Sequence, residues 1–407
     1  MTFNGWKEVV LEEVSYYGDE KIPSDEVTLD NYISTENMLP NKSGVGMASG
    51  LPTTKSVRRY KKGDILLSNI RPYFKKIWFA TKNGGCSNDV LVIKNKNEKE
   101  LDKKYLYYTL LQDNFFDYVT ATSKGTKMPR GDKSAIMNYG IMLPPLYEQK
   151  AIANILSTLD EKIETNNQIN EKLEEMAQAL FKRWFVDFEF PNENGKPYKS
   201  SGGEMVDSEL GMIPKGWKVS KLSELITLYD SKRIPLSKNE RDKREKIYPY
   251  YGASSLMDYV DDYIFDGVYV LLGEDGTVID ELGYPILQYV WGKFWVNNHA
   301  HVIKGKNDYS EEFVYMLLKN TNVSSAVTGA VQLKINQKNL KNLSVVIPED
   351  MDLIKQFSGI LDYQFSIIRN NSDQNKVLTS IRDNLLPKLM SGEIRIPMED
   401  GVLSEKN

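Results

Sequence analysis

The amino-acid sequence contains the same unit twice, and no other feature limits its fold as much. Gly5-Trp6-Lys7 followed by Leu11 returns as Gly216-Trp217-Lys218 followed by Leu222, at an offset of 211. Asn88–Lys94 (NDVLVIK) returns as Asn298–Lys304 (NHAHVIK) at an offset of 210, and Gly125, Asn138 and Pro144 return as Gly329, Asn342 and Pro348 at 204. Ile155-Leu156, Leu173, Met176 and Leu180 return as Ile360-Leu361, Leu378, Ile381 and Leu385, at about the same spacing. Collinear matches with a slowly drifting offset are the mark of a duplication. Each copy is a mixed globular region followed by a helical one. At roughly 100–200 residues per domain, the 407 residues suit two or three domains.

The helical regions carry the clearest periodicity. After Pro144-Pro145, apolar residues recur at spacings of three and four through Ile152, Ile155, Leu156, Leu159, Ile163, Ile169, Leu173, Met176, Ala177, Leu180 and Trp184. With Ile152 at heptad position a, the a series is Ile152, Leu159, Asn166, Leu173 and Leu180, and the d series includes Ile155, Ile169 and Met176. The matching segment puts Phe357, Gln364, Asn371, Leu378 and Leu385 at a, and Ile360, Ile367 and Ile381 at d. Both read as coiled-coil seams. Asn166 and Asn371 share one heptad position, where a buried Asn fixes register by pairing with a like residue. The 39 residues from Leu146 to Trp184 would make a helix roughly 58 Å long. Two such helices most simply bury their stripes against each other as an antiparallel pair.

The expected fold is therefore α+β: two globular domains in pseudo-twofold arrangement, separated by two long antiparallel coiled-coil helices. The boundaries are residues 1–145 for the first domain, 146–190 for the central helix, 191–213 for a linker rich in Gly, Ser, Pro and Asn, 214–348 for the second domain, 349–392 for the distal helix and 393–407 for a tail. Strands are expected at 64–67, 76–80, 90–93, 268–272 and 300–303, and helices at 102–116 and 310–319.

Charge is segregated although the net is only −4. Lys55–Lys82 holds nine bases and one acid, Lys232–Lys246 seven bases and three acids, and Met257–Leu282 eight acids and no base. The first basic window has aromatics interleaved, in Arg58-Arg59-Tyr60 and in Arg71-Pro72-Tyr73-Phe74-Lys75. Cations neutralise phosphates, Arg reads guanine edges, and rings stack or wedge. Lys55, Arg58, Arg59, Arg71, Tyr73 and Lys75 are therefore candidate DNA contacts, against the plainer reading of a Lys-guarded strand edge. The glycine loop Ser123–Arg130 adds Lys127 and Arg130, its counterpart from Thr328 adds Lys334 and Asn336, and the run Tyr248–Gly252 adds Tyr250 and Tyr251. An ordinary turn or core packing would look much the same in these last segments.

Catalytic signatures are incomplete. His299 and His301 are the only histidines, and no third His or Cys ligand completes a zinc site. Gly44–Gly50 has the wrong spacing for a dinucleotide fingerprint and lacks a phosphate-binding Lys. Leu143-Pro144-Pro145-Leu146 starts with an aliphatic that cannot accept from an adenine amine. Glu274-Asp275-Gly276 reads as an acidic turn rather than a magnesium site. No metal and no catalysis are expected. Cys86 is alone, no stretch reaches the length of a membrane span, and the first eight residues do not read as a signal peptide, so a cytoplasmic protein is expected.

The chain resembles the specificity subunit of type I restriction-modification enzymes. The residues that carry the resemblance are Pro144-Pro145-Leu146, Glu148-Gln149, Ile152, Ile155-Leu156, Leu159-Asp160 and Ile163, then Leu173–Phe181 and Trp184–Phe188, with Leu210–Trp217 and Leu385–Gly392. The second helix departs from the first in opening with Pro348-Glu349-Asp350-Met351 and Lys355-Gln356. The resemblance implies a subunit without catalysis, whose two target-recognition domains each read half of a bipartite double-stranded DNA site. It implies helices that set the gap and dock two methyltransferase subunits. It places S-adenosylmethionine in those subunits, ATP and Mg in motor-nuclease subunits, and no cofactor in this chain. The competing readings are a coiled-coil protein–protein adaptor without DNA binding and a stand-alone nuclease.

Overall fold

The computed structural model describes residues 5–329 and 332–396; the end of the expected tail, and Ala330 and Val331 of the second glycine loop, lie outside them. The chain divides into two compact units, residues 1–165 with 374–407, and residues 166–373.

In the first unit, strands Ser15–Tyr17, Val90–Asn95, Ile65–Ser68 and Ile77–Phe79 form an antiparallel sheet in that order. The strand Ile65–Ser68 is buried along its whole length because its alternate residues face different cores. Ile65 and Leu67, with Leu91 and Ile93, pack on the helices, while Leu66, with Val90 and Val92, packs toward Tyr60 and Cys86. Tyr60 and Cys86 belong to a second sheet of Lys21–Pro23, Ser56–Tyr60, Gly84–Cys86 and Tyr32–Ile33. A pair, Lys7–Val10 with Gly140–Leu143, closes the domain. The helix expected at 102–116 is two helices, Lys103–Leu111 and Asp113–Ala121, because Gln112 is extended between them.

The second unit repeats this plan. Strands Ile226–Leu228, Ala300–Gly305, Tyr269–Gly273 and Leu287–Val290 form the equivalent sheet in the equivalent order. Leu256–Val260, Tyr248–Tyr251, Lys293–Val296 and Phe265–Asp266 form the second sheet, and Trp217–Lys221 pairs with Ser344–Pro348. The α+β duplication read from the sequence is thus present strand by strand in the first sheet and the closing pair, while the second sheets differ in their outer strand. Lys21–Pro23 joins Ser56–Tyr60, the antiparallel neighbour of Gly84–Cys86, and Leu256–Val260 joins Tyr248–Tyr251, the parallel neighbour of Lys293–Val296. Among the described residues, no helix is long and apolar enough to cross a membrane.

Two long helices, Leu146–Phe181 and Met351–Met390, follow the two domains. Within each unit their segments run antiparallel. Asn375 Nδ2 donates to Ile163 O at 3.4 Å and Arg382 Nη1 pairs with Asp160 Oδ1 at 2.7 Å in the first unit. In the second, Asn371 Nδ2 donates to Asn170 Oδ1 at 2.9 Å, and Phe181 meets Phe357 with ring centroids 5.8 Å apart.

The seam differs from the expected one. The a series is covered, but Ile155, Ile169, Met176, Ile360 and Ile381 are exposed, Met176 by 57%. The inward residues are Leu156, Ile163, Asn170 and Ala177, and Leu361, Ile368 and Asn375, four rather than three positions after each a residue. Both spacings put apolar residues close to one helical face, so period alone did not separate them. The Asn pairing shifts accordingly: Asn166 is buried, and Asn371 bonds Asn170. We expect Leu156→Ala to cost about 2–5 kcal/mol of stability. Ile155→Ser should stay within about 0.5 kcal/mol. Urea denaturation of the two variants distinguishes the registers.

The start of the first helix is tied down by the Glu-Gln pair. Trp6 Nε1 donates to Glu148 Oε2 at 2.9 Å, and Gln149 Nε2 donates to Pro144 O and Glu100 O, both at 2.8 Å. In the second helix Lys355 and Gln356 are exposed instead. The segment expected as a linker at 191–213 is folded. Phe190 stacks between Tyr198 (4.6 Å) and Trp217 (5.2 Å), and Met205–Ser208 pairs with Gly211–Pro214. Its Gly, Ser and Asn residues serve turns, and its one aromatic, Tyr198, joins the flanking Phe190 and Trp217 in a packed cluster.

Candidate nucleic-acid interface

The basic window of the first domain does not form one continuous patch. Arg58 Nη1 donates to Val90 O at 2.6 Å and is partly buried, so it ties the two sheets together. Arg59 lies 3.7 Å from Glu26, Lys61 lies 3.5 Å from Glu20, Lys82 pairs with Asp30, and Lys75 pairs with Asp113 at 2.7 Å. Acids distant in sequence thus cancel much of the local charge. Lys55, Lys62 and Lys127 are exposed and make no ion pair among the described residues.

What the structure does bring together is a pair of crossed loops. The connection after Ile65–Ser68 is hydrogen-bonded to the glycine loop: Arg71 N–H donates to Pro129 O at 2.8 Å, and Gly131 N–H to Asn69 O at 3.1 Å. Lys124 and Arg130 exchange two backbone bonds of 2.9 Å, which closes the glycine loop around Gly125. Tyr73, Lys127 and Arg130 are exposed on these two loops, with Arg130 3.3 Å from Asp89.

The second domain repeats the crossing bond for bond. Gly276 N–H donates to Leu333 O at 3.1 Å, and Ile335 N–H to Glu274 O at 2.9 Å. Thr328 pairs with Lys334 as Lys124 does with Arg130. Gly329 has φ +90°, and a Cβ there would lie 2.2 Å from Gln332 O, so only glycine closes this turn. Lys334 is half exposed and 3.4 Å from Glu274. Asn336 is a helix cap whose Oδ1 accepts from Asn339 N–H at 2.8 Å. Its side chain is therefore engaged by the fold.

Two aromatic candidates are corrected. Tyr250 is fully buried, with its hydroxyl 3.0 Å from Leu236 N, and Tyr251 packs its ring edge-on to Phe294 at 5.8 Å. Burial pushes the Tyr251 phenol up to about 12. The run Tyr248–Tyr251 is a strand bonded on both sides, so these rings fill the core instead of facing solvent. The acidic and second basic windows also annul each other: Asp258 meets Arg241 (3.1 Å) and Lys246 (2.9 Å), and Asp261 meets Arg244 (2.9 Å).

Asp230, Glu274 and His301 offer three ligand atoms within 4.8 Å of one another. The chain's own groups already fill this cluster. Arg233 lies 2.8 Å from Glu274 and 3.7 Å from Asp230, and His301 places Nδ1 2.6 Å from Asp230 and Nε2 2.7 Å from Ile335 O. Burial raises the Asp230 pKa, but the His301 bond and charge, the Val302 N–H and Arg233 outweigh it, and the net direction is down. The donor set suits an ion-pair core behind the crossed loops better than a cation site.

Sequence reasoning missed Asp230, Arg233 and the exposed tip at Leu282. The repeat offset itself was the available signal for the tip, since at 210–211 in this region it sets Arg71 against Glu281 and Leu282.

The profile described as Type I restriction modification DNA specificity domain matches residues 4–175 and again 214–379. The type I restriction enzyme MjaIX specificity subunit of Methanocaldococcus jannaschii is 28% identical over 364 residues, 84% of this chain and 80% of that protein. The HindI specificity subunit of Haemophilus influenzae is 24% identical, over 96% of this chain and 99% of its own. The MjaVIII specificity subunit of M. jannaschii is 35% identical, over 78% and 76%. Among solved structures, the S subunit of a type I restriction-modification system from M. genitalium has the same fold, with a TM-score of 0.59 at 18% identity over 97% of each chain.

Proposed function

The chain belongs to the type I restriction-modification specificity family, with the DNA specificity domain present twice, and from this premise we propose how it reads DNA. Each domain reads one half of a bipartite duplex site through its crossed loops, and the chain performs no catalysis itself. The observation that carries this reading is the repetition of the crossing, with equivalent backbone bonds, in two domains whose loop sequences differ. A device kept twice while its surroundings diverge suits two half-sites of different sequence.

The long helices serve as spacer and as docking surface. An uninterrupted helix of 36 residues is about 54 Å long, comparable to roughly 16 base pairs of B-DNA. The outward isoleucines and Met176, together with Tyr363 at 70% exposure, offer apolar helix surface to partner helices of methyltransferase subunits. S-adenosylmethionine is then the methyltransferase's cofactor, and ATP and Mg belong to motor-nuclease subunits. The neutralised Asp230–Glu274–His301 cluster supports a chain that takes no metal.

The test is a gel shift over a salt series, with and without the methyltransferase partner, using the duplex motif found methylated in the host genome. Two short tracts around an unspecified gap and a linear fall of log affinity with log salt are expected. Lys127→Ala should weaken binding to all sequences and lower the salt slope by about one. Binding that ignores salt and sequence would favour the protein–protein adaptor.

A further inference from the structure

The crossed loops hold something beyond cations. In the first domain the connection makes a single 3-10 turn, Pro72–Phe74, between two residues in the left-handed region, Arg71 (φ +49°) and Lys75 (φ +52°). Non-glycine residues adopt that conformation only where the surroundings enforce it. Here the surroundings are visible. Arg71 N–H is bonded to Pro129 O, and Phe74 O and Lys75 O accept from Asn41 N–H (2.8 Å) and Lys42 N–H (2.9 Å). Asp113 holds Lys42 and Lys75 at 2.8 and 2.7 Å, and Pro72 is buried as the anchor. This rigid base holds out two aromatic rings, Tyr73 at 46% and Phe74 at 38% exposure, with centroids 4.7 Å apart.

The second domain has an apolar tip on the same connection. Gly276 (φ +86°) stands where Arg71 stands, bonded to the glycine loop in the same way, and the longer connection then projects Leu282, 74% exposed, with Tyr284 beside it. That tip is also braced. Asp280 Oδ1 accepts from Leu282 N–H (2.9 Å) and Tyr284 N–H (2.8 Å), so one of its acids is turned to the loop's own backbone. Large apolar side chains on a braced loop serve neither core, and they occur at the equivalent place in both domains.

We propose that these tips, Tyr73-Phe74 in the first domain and Leu282 with Tyr284 in the second, are wedges that stack into one base step of each half-site. Side chains of this kind enter between base pairs, partly unstack them and kink the duplex. The aromatic pair suits an opened step, where a ring replaces a lost base neighbour. The glycine loops that cross these connections carry Arg130 and Lys334, cations for phosphate or base contacts in the same domain as each wedge. The proposal rests on the DNA-reading function above and adds where the duplex is deformed.

The experiment uses the full chain with its methyltransferase partner and a duplex selected from a randomised pool by the wild-type protein. 2-Aminopurine replaces adenines in turn through the two tracts. Wild-type protein should raise fluorescence at one step in each tract. Tyr73→Ala/Phe74→Ala should abolish the rise in the first tract only and weaken binding roughly tenfold or more. Leu282→Ala should abolish it in the second tract only. Both sets of side chains are exposed, so unchanged melting temperatures are expected and exclude misfolding. Wild-type binding with fluorescence and affinity unaltered in the variants would overturn the wedge and leave DNA reading standing. Failure of the wild-type protein to select any duplex would overturn both.

Discussion

Replacing His301 with phenylalanine is expected to destabilise the second unit by about 3 kcal/mol, at the lower end for breaking a buried pair. The ring is fully buried between Asp230, 2.6 Å from Nδ1, and Ile335 O, 2.7 Å from Nε2. Phenylalanine fills much of the space but leaves the carboxylate and the carbonyl without that donor. Asp230 keeps Val302 N–H and Gln337, at 2.8 and 2.7 Å, which is why the loss stays at the lower end. For a unit of this size the melting transition should drop by roughly 6–12 °C in calorimetry. The same network sets an acid limit. The Asp230 pKa is held down in the folded state, so its contribution is present above the ordinary carboxylate range and lost as pH falls through the depressed value. Stability should therefore fall below about pH 4, and the His301→Phe variant should lose less there. An unchanged melting point would show that the cluster is dispensable.

Phe357→Ala is the second large effect, at about 3–5 kcal/mol. Phe357 is fully buried where the second long helix meets its domain, with centroids 4.9 Å from Phe185, 5.4 Å from Trp184 and 5.8 Å from Phe181. The first helix ends there in a π-helical turn, Lys182–Val186, which places Trp184 and Phe185 on the same cluster. Truncating the ring leaves a cavity among rigid aromatics that cannot collapse into it. The denaturant midpoint should fall, and the emission of Trp184 and Trp217 should shift to the red before global unfolding. Ile360→Ser, one turn further on and facing out, should change the midpoint little.

The fold was legible because its strongest signals are local or repeated. Residues 65–67 are a continuous apolar run, the helix 311–319 has a Ser310 cap, and the offset of 204–211 gave the two-domain plan. The heptad was half legible: the a series is a property of spacing, but whether Ile155 or Leu156 turns inward depends on the partner surface. The candidate interface was less legible. Arg58, Lys75 and Asn336 have the chemistry of DNA contacts, yet a carbonyl, a carboxylate and a helix end claim them first. Tyr73, Lys127 and Arg130 stay accessible on the crossed loops.

From sequence alone follow the duplication, the mixed domain type, the helical segments and the family, since each is written in the order and period of residues along the chain. Tertiary structure decided which charges remain unopposed, which rings are buried and which loops cross. Those outcomes depend on residues far apart in sequence meeting in space, as Asp113 meets Lys42 and Lys75, or as Gly276 meets Leu333. An ion pair or a hydrogen bond acts over a few ångströms, and only folding brings such partners within that reach.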